Sequence, residues 1–175
     1  MSRIDESRAF VPVRIAILTI SDTRTRENDT SGDLLAQRIQ DAGHSLAGRA
    51  IVTDDRDLVR QAVREWADDP AIDVVITTGG TGLTGRDITV EAVTPLFDKV
   101  IDGFSVIFHQ VSFRSVGLST IQSRACAGLV DGTFVFCLPG STGACRDGWD
   151  EVIALQLDAR HRPCNLVEIM PRLCE

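Results

Sequence analysis

The first half of the chain alternates apolar runs with amphipathic segments. The runs Val13–Ile20 and Ala71–Thr78 are rich in β-branched residues and nearly continuous, as strands of a parallel sheet covered on both faces are. Residues 45–52 predict a third strand between them. Because helical segments separate these strands, we expect right-handed crossovers and a parallel sheet with Val13–Ile20 near its centre.

Apolar residues at helical spacing predict the helices. The first covers residues 33–42 and ends at Gly43, and Asp29, Thr30 or Ser31 can cap its start. Further helices are predicted over residues 54–69, from residue 89 to near Pro95, and over residues 103–116 and 141–161. In the second and fourth helices the residues expected on the apolar face are Leu58, Ala62, Val63 and Trp66, and Phe104, Ile107, Phe108 and Val111.

Two apolar runs around residue 131 predict a β-hairpin. Residues 123–130 and 133–138 flank Asp131-Gly132, a dipeptide that supplies the positive φ values of a tight turn. By contrast, only Val100-Ile101 precedes Asp102, which is too short a run to predict a strand.

Length and charge restrict the class of protein. The 175 residues fit one domain over residues 1–175, with residues 1–10 expected to be a flexible N-terminal segment. The formal net charge is −7 and the 18 basic residues form no run of five, which argues against a nucleic-acid partner. The N-terminal sequence fits neither a signal peptide nor a membrane span, so we expect a cytoplasmic protein without a membrane partner.

The cysteines and histidines predict no metal site or disulfide framework. The five cysteines, at 126, 137, 145, 164 and 174, include no CxxC pair and are expected to be reduced thiols. Cys137 lies in the apolar run TFVFCLP and is expected in the core. The three histidines share no metal-binding spacing.

The stretch DVVITTGGTGLTGRD places Gly80-x-Gly82-x-x-Gly85 directly after a predicted strand. This is the spacing of the dinucleotide fingerprint, but that fingerprint follows the first strand and its third glycine lies within the helix. Here the motif follows the third strand, and the next helix begins at Thr89. A Walker A loop does not fit, because the last glycine is followed by Arg-Asp instead of Lys-Ser/Thr.

The remaining interpretation is an anion-binding turn at the carboxyl end of a parallel strand, where successive N–H groups form a nest. A second such turn, LPGSTGAC, leads from the strand ending at Leu138 into a helix whose N-terminus favours negative charge. Two such turns at one edge of the sheet predict a ligand cleft. The alternative is that these glycines only permit tight turns.

Acidic residues follow the same strands. Asp87 comes directly after the glycine loop, and Asp54-Asp55 ends the second strand. Carboxylates placed in this way suit Mg²⁺ that carries a nucleotide phosphate, because Mg²⁺ keeps most of its waters and needs one or two carboxylates. The alternative role for Asp55 is a helix N-cap. A capping role for Asp87 is less favoured, because Thr89 is free to cap.

Several motifs together resemble one family. The stretches TTGGTGLTGRD, TSGDLLAQRIQDAGH, STIQSRACAG, CLPGSTGACRDGWDEVI and QLDARHRPCN are similar to the molybdenum cofactor biosynthesis protein B (MoaB) branch of the MoaB/Mog family, over residues 11 to 170. The resemblance implies a three-layer α/β/α fold with a mostly parallel central sheet, in a trimer or hexamer. It also implies that Mg²⁺ and ATP are used to adenylylate molybdopterin, with release of pyrophosphate, and that other proteins of molybdenum cofactor biosynthesis are possible partners.

The resemblance also implies roles for individual residues. It implies that Asp54 and Asp87 are catalytic and are the ligands of Mg²⁺, and that Ser21-Asp22 lies near the nucleotide. The nest falls on Gly79, Gly80, Thr81 and Gly82, and the pterin side on Ser123, Pro139, Gly140 and Ser141. For Ser123 the alternative is a strand-edge serine that bonds locally.

The chain departs from the family pattern at two places. It has Thr53-Asp54 where Pro-Asp is common, and Thr89-Val90-Glu91-Ala92 where Thr-Pro-Glu-Ala is common. Since proline fixes φ, its absence leaves the position of Asp54 less constrained. The alternative to an adenylyltransferase is a molybdopterin-binding carrier or scaffold without catalysis. A nicotinamide-binding enzyme is a more distant alternative.

Overall fold

The predicted apolar runs form the strands of a six-stranded sheet. The structure is a computed structural model that describes residues 3–173 and 175. In chain order the strands are β1 (Arg3–Ile4), β2 (Arg14–Ile20), β3 (Ser45–Val52), β4 (Val74–Thr78), β5 (Lys99–Val100), β6 (Cys126–Val130), β7 (Thr133–Leu138) and β8 (His161–Arg162). The α-helices are α1 (Thr30–Asp41), α2 (Arg56–Ala67), α3 (Thr89–Val93), α4 (Asp102–Val116), α5 (Thr142–Gly148) and α6 (Ala154–Gln156). Other helical segments are the 3-10 turns Thr94–Leu96, Gly117–Gln122 and Val167–Arg172 and the π-helix Trp149–Ile153.

The order of strands in the sheet is β3-β2-β4-β7-β6-β5. Strands β3, β2, β4 and β7 are parallel, while β6 runs antiparallel to β7 and β5 antiparallel to β6. The predicted hairpin is confirmed, since Asp131 and Gly132 both have positive φ between β6 and β7. Strand β3 lies on one side of β2 in the sheet, and the next strand, β4, lies on the other side of β2. Ligands of open α/β sheets bind at such a switch point.

Alternate residues of the central strands face two apolar layers. Ile15 and Ile17 of β2 pack with residues of α1, α4 and the π-helix, whereas Ala16 and Leu18 pack with residues of α2 and α3. Strand β4 is buried throughout, as its continuous apolar sequence predicts. The predicted α/β fold with a mostly parallel sheet and helices on both sides is confirmed.

Two predicted core positions are wrong. Leu58 is 48 % exposed and Ile107 is 45 % exposed. The buried residues are Val59, Val63 and Ala67 in α2, and Phe104, Phe108, Val111 and Ser112 in α4. Leu58 and Ile107 lie one residue before a buried position, which is a rotation of about 100° around the helix, and they face solvent.

Two boundaries also differ from the predictions. The last of the predicted helices ends at Gln156 instead of residue 161, because the Asp158 carboxylate accepts the Arg160 N–H at 2.9 Å and closes a turn. His161 therefore lies in β8. Strand β5, which was not predicted, is a two-residue strand that pairs with Leu129 and Gly128 of β6.

The N-terminal segment lies against the C-terminal segment. Strand β1 pairs antiparallel with β8, and the Asp5 N–H donates to the Arg160 carbonyl at 2.9 Å. The flexibility expected of residues 1–10 stays a prediction, and residues 1 and 2 lie outside the described residues.

The cysteines of the described chain, at 126, 137, 145 and 164, are all free thiols. Cys137 is buried, as predicted, and burial raises the pKa of the Cys145 thiol to about 11. Cys174 lies outside the described residues. None of the described helices has the length and apolar character that a membrane span requires.

Asp29 joins three elements of the fold. It caps α1 by accepting the Gly32 N–H at 3.0 Å, and it also accepts the Thr19 hydroxyl of β2 and the Arg49 guanidinium of β3, each at 2.8 Å. The residue is 1 % exposed. Burial acts to raise the pKa of Asp29, but the three donors outweigh burial and hold the pKa below its ordinary value.

Asp29→Ala should lower the free energy of unfolding by about 3 kcal/mol, because it removes both the cap of α1 and the buried carboxylate that pairs with Arg49. Asp33 also contacts Arg49, at 2.6 Å, but its side chain is 57 % exposed. Asp33→Ala should therefore lower the free energy by less than about 1 kcal/mol. Urea unfolding at pH 7 measures both changes. Equal losses in the two variants would contradict this account of Asp29.

Candidate functional site

The loops that follow β2, β3, β4 and β7 meet at the carboxyl edge of the sheet. The Asp22 N–H after β2 donates to Asp54 Oδ2 after β3 at 2.9 Å. The Gly79 N–H after β4 donates to the carbonyl of Leu138 at the end of β7, at 3.1 Å. The predicted candidate residues are therefore brought to one edge, as parallel strands require.

The glycine loop after β4 depends on two consecutive residues with positive φ, Gly79 at 108° and Gly80 at 64°. A Cβ on Gly79 would lie 2.2 Å from the Ile20 carbonyl oxygen, and one on Gly80 would lie 2.4 Å from Thr89 Oγ1. By contrast, a Cβ on Gly85 would meet nothing within 4 Å, unlike the third glycine of a dinucleotide fingerprint. The loop is therefore a different device from a dinucleotide fingerprint.

Within the loop, the amides differ in their availability to an anion. The Gly79 N–H is occupied by the Leu138 carbonyl. Within the described part of the chain, the N–H groups of Gly80 and Thr81 donate to no protein acceptor. These two amides are the part of the predicted nest that can receive a ligand.

Thr89 holds the glycine loop through two hydrogen bonds and does not cap a helix. Its hydroxyl donates to the Gly79 carbonyl at 2.7 Å, and its N–H donates to the Gly80 carbonyl at 2.9 Å. The N-cap of α3 is Ile88, which has no side-chain capping bond. The expectation that Thr89 is free to cap is therefore wrong, because its hydroxyl is buried against the loop.

Asp54 and Asp55 have different roles. The Asp55 carboxylate accepts the N–H groups of Asp57 and Leu58 at 2.9 and 3.0 Å, which confirms the helix N-cap alternative. Asp54 faces the glycine loop, where a Cβ on Gly80 would lie 3.3 Å from Asp54 Oδ1. Burial raises the pKa of the Asp54 carboxyl, and the negative charges of Asp22 and Asp87 contribute to this increase.

Asp22 is held between Asp54 and an arginine. Asp22 Oδ1 accepts the Asp54 N–H at 3.1 Å, and Asp22 Oδ2 accepts Arg86 Nε at 2.9 Å. These two hydrogen bonds, the Arg86 bond first, hold the pKa of Asp22 below its ordinary value. The guanidinium of Arg86 thus compensates part of the negative charge that the three aspartates bring to this edge.

Asp87 is fixed within its own loop. Its Oδ2 accepts the Thr84 N–H at 2.9 Å and the Thr84 hydroxyl at 2.7 Å. Burial acts to raise the pKa of Asp87, but the donors on Thr84 and the Gly82 N–H outweigh burial, and the pKa is lowered. The carboxylate is therefore ionised beside Gly82 and available to a cation.

The two carboxylates fit Mg²⁺ that enters with a nucleotide. No cluster of three or more histidine, cysteine, aspartate or glutamate side chains that could hold a metal is present among the described residues. Mg²⁺ needs only one or two carboxylates when water and phosphate oxygens supply its other ligands. Asp54 lies beside Gly80 and Asp87 beside Gly82, and these two residues would hold the ion.

A cavity of about 530 Å³ adjoins the glycine loop. The candidate residues that line it are Gly80, Thr81, Gly82, Asp87, Ser123, Pro139, Gly140 and Ser141. Ser21 and Asp22 instead line a separate depression beside β3, and Gly79 lies in a small pocket with Ser21 and Gly140. The residues predicted for the pterin side thus line one cavity with most of the nest and Asp87, whereas Ser21 and Asp22 lie outside that cavity.

The opposite wall of the cavity carries hydroxyl groups that sequence reasoning missed. They belong to α4 and the 3-10 turn that follows it: Ser112, Ser115, Ser119 and Thr120. The hydroxyls of Thr120 and Ser123 are buried and have no hydrogen-bond partner among the described residues. Local bonding of the Ser123 hydroxyl is therefore not seen. Since unpaired buried hydroxyls are unfavourable, these two groups can bind polar atoms of a ligand.

The chain is similar to a family of known proteins. A family model described as "Probable molybdopterin binding domain" matches residues 16–159. The chain is 50 % identical over 159 residues to molybdenum cofactor biosynthesis protein B of Escherichia coli (strain K12), covering 91 % of this chain and 94 % of that protein. The protein of the same name from Bacillus cereus is 44 % identical over 146 residues, covering 83 % and 86 %. The chain belongs to the molybdenum cofactor biosynthesis protein B family.

Solved structures agree with this family assignment. A crystal structure of a molybdenum cofactor biosynthesis protein B superposes with a TM-score of 0.86 at 41 % identity, covering 95 % of this chain and 98 % of that one. The tungsten cofactor synthesizing protein MoaB from Pyrococcus furiosus superposes with a TM-score of 0.77 at 33 % identity, covering 94 % and 98 %. The resemblance inferred from the motifs is confirmed, and the chain is assigned to molybdenum cofactor biosynthesis.

Adjacent aspartates at the site should affect stability in opposite directions. Asp55→Ala should lower the free energy of unfolding by about 1 kcal/mol, because it removes a helix cap. Asp54→Asn should leave the free energy equal to or above that of the unsubstituted chain at pH 7, because the raised pKa means that ionised Asp54 destabilises the folded state. Urea unfolding in metal-free buffer measures both.

The pH dependence tests the sign of the Asp54 effect. The folded state binds the Asp54 proton more tightly than the unfolded chain. The advantage of Asp54→Asn should therefore grow as the pH rises through the folded pKa, and it should vanish below about pH 4, where both states are protonated. A loss of stability in Asp54→Asn as large as that in Asp55→Ala would show that Asp54 is a structural residue.

Proposed function

We propose that the chain catalyses the Mg²⁺- and ATP-dependent adenylylation of molybdopterin, with release of pyrophosphate. The observation that carries the proposal is the juxtaposition of Asp54 and Asp87 with the unoccupied amides of Gly80 and Thr81, beside a hydroxyl-lined cavity. The family's molybdopterin-binding description supports molybdopterin as the ligand of that cavity.

In the proposed reaction a terminal phosphate oxygen of molybdopterin attacks the α-phosphorus of ATP. The bond from the α-phosphorus to its bridging oxygen breaks, and pyrophosphate leaves with the electron pair. Such a transfer depends mainly on positioning and on stabilisation of charge by the protein. The amides of Gly80 and Thr81 would donate to phosphate oxygens, and the hydroxyls of Thr120 and Ser123 would orient the pterin.

The aspartates would provide the negative charge that a cation needs. Mg²⁺, when bound by Asp54 and Asp87, would neutralise charge on the phosphates. Burial and the neighbouring carboxylates hold the pKa of Asp54 above its ordinary value. A bound cation would remove the repulsion among these aspartates and favour the ionised form of Asp54.

We also propose that the chain assembles as a trimer or hexamer. Support comes from exposed apolar side chains on α4 and the turn that follows it. These are Val106, Ile107, Phe113, Val116, Leu118 and Ile121, each at least 45 % exposed. Several exposed apolar side chains on one helix and the turn after it are typical of an interface between proteins.

Phe113→Glu should shift the assembly towards monomers, because it places a charge among these apolar side chains. Sedimentation velocity measures the assembly. Leu58→Glu on α2, at an exposed leucine outside this surface, is the matched control and should leave the assembly unchanged. An unchanged sedimentation coefficient in Phe113→Glu would argue against α4 as the interface.

The proposed reaction is tested by direct detection of adenylylated molybdopterin from molybdopterin, ATP and Mg²⁺. Asp87→Ala and Asp54→Asn should each lower kcat by about 100-fold or more, because each removes a charge beside the reacting phosphates. Asp87→Asn removes the negative charge but keeps the size of the side chain, so comparing it with Asp87→Ala separates the effect of charge from the effect of shape. The control is Asp57→Asn on α2, whose side chain is 92 % exposed.

The outcome distinguishes the enzyme from a carrier or scaffold. A product from the unsubstituted chain and from Asp57→Asn, but not from the other variants, would support the proposal. Tight pterin binding without product, and without any effect of ATP or Mg²⁺ on that binding, would support the carrier.

A further inference from the structure

We propose that Arg124 is a positioning residue that holds the glycine loop and Asp87 in their active arrangement. The proposal rests on the adenylyltransferase function proposed above. Arg124 lies just before β6, outside the residues that line the cavity, and it contacts the loop from the side away from the ligand.

Arg124 binds three carbonyl groups of the loop. Its backbone N–H donates to the Thr81 carbonyl at 3.0 Å, its Nε to the Gly82 carbonyl at 2.8 Å and its Nη2 to the Asp87 carbonyl at 3.2 Å. One residue therefore satisfies the backbone at both ends of the segment that runs from the nest to the catalytic aspartate.

This arrangement follows from the geometry of a peptide that presents N–H groups to a ligand. Its carbonyl groups must point elsewhere, and each needs a donor when it is turned from solvent. Among the described residues, no backbone N–H of the loop donates to the carbonyls of Thr81, Gly82 or Asp87. The planar fork of an arginine presents several donors in fixed directions, which a lysine ammonium cannot do.

Glu91 on α3 fixes the guanidinium. Its two carboxylate oxygens accept Arg124 Nη1 and Nη2, the second at 3.2 Å. The Arg124 and Glu91 side chains are 29 % and 39 % exposed. The ion pair itself adds little to stability at this exposure. Its effect is to orient Nε and Nη2 towards the loop carbonyls.

Arg14 offers a matched control at the opposite edge of the sheet. It also makes a two-pronged ion pair, from Nε and Nη2 to the Asp73 carboxylate, at the start of β2. Arg14→Gln therefore removes the same kind of interaction far from the glycine loop.

The first readout is hydrogen exchange of residues 79–89 without any substrate. This segment contains the protected amides of Thr84, Asp87 and Thr89. Arg124→Gln should raise their exchange by about tenfold or more, since charge-assisted hydrogen bonds are lost. Arg124→Lys and Glu91→Gln should give smaller increases, and Arg14→Gln none.

The second readout separates positioning from general destabilisation. In AMP transfer, Arg124→Ala should lower kcat by about 100-fold while the KM for ATP changes much less, because the loss falls on charge stabilisation in the transition state. Added guanidinium ion should restore part of kcat and of the exchange protection in Arg124→Ala, whereas ethylammonium should not.

Unchanged exchange of residues 79–89 in Arg124→Gln would overturn the proposal. The proposal would also be overturned if exchange in Arg124→Gln increased equally in β2 and β4 and if guanidinium failed to restore kcat in Arg124→Ala. If the unsubstituted chain transfers no AMP, the proposed function fails, but the exchange experiment still decides whether Arg124 holds the loop.

Discussion

The whole site depends on one close approach of backbone to backbone. At the carboxyl edge of the sheet, the chain at Gly79 passes so close to the Ile20 carbonyl that a Cβ would lie 2.2 Å from its oxygen. On the other side, a Cβ on Gly140 would lie 3.2 Å from the Cα of Gly79. The loops after β2, β4 and β7 can converge only because no side chains separate them. This convergence brings the amides, the aspartates and the cavity to one edge of the sheet.

At this edge of the sheet, the ionised form of Asp54 is locally unfavourable. Asp22, Asp54 and Asp87 repel one another, and the pKa of Asp54 is raised by burial and by its neighbours. Two arginines compensate part of this negative charge. Arg86 binds the Asp22 carboxylate, and Arg124 binds the backbone carbonyl of Asp87. A bound cation would relieve this repulsion. Functional sites commonly retain such locally unfavourable charge because the ligand makes it favourable.

Local sequence was sufficient for features whose cause is local. Continuous β-branched runs gave the central strands, and Asp131-Gly132 gave the hairpin turn because positive φ is a property of those two residues. The positions of Asp54 and Asp87 at one edge followed from the direction of parallel strands. The errors at Leu58 and Ile107 arose because an apolar stripe does not fix how far a helix rotates against its sheet. The end of the last helix was set by Asp158, whose turn competes with helix continuation.

The features that sequence could not predict are those created by long-range contacts. Arg124 reaches Gly82 across 42 residues of the chain and Glu91 across 33, so no spacing rule could connect them. The hydroxyls of Thr120 and Ser123 are notable only because they are buried without partners, which no residue type reveals. One signal was available in the sequence. The stretch STIQSRACAG combines hydroxyl residues and an arginine immediately before β6, which pairs with β7. In a sheet of this topology, such a segment must end near the carboxyl edge of β7, since β6 runs antiparallel to it. Polar residues before an antiparallel strand of a mostly parallel sheet are therefore candidates for the site, together with those that follow the parallel strands.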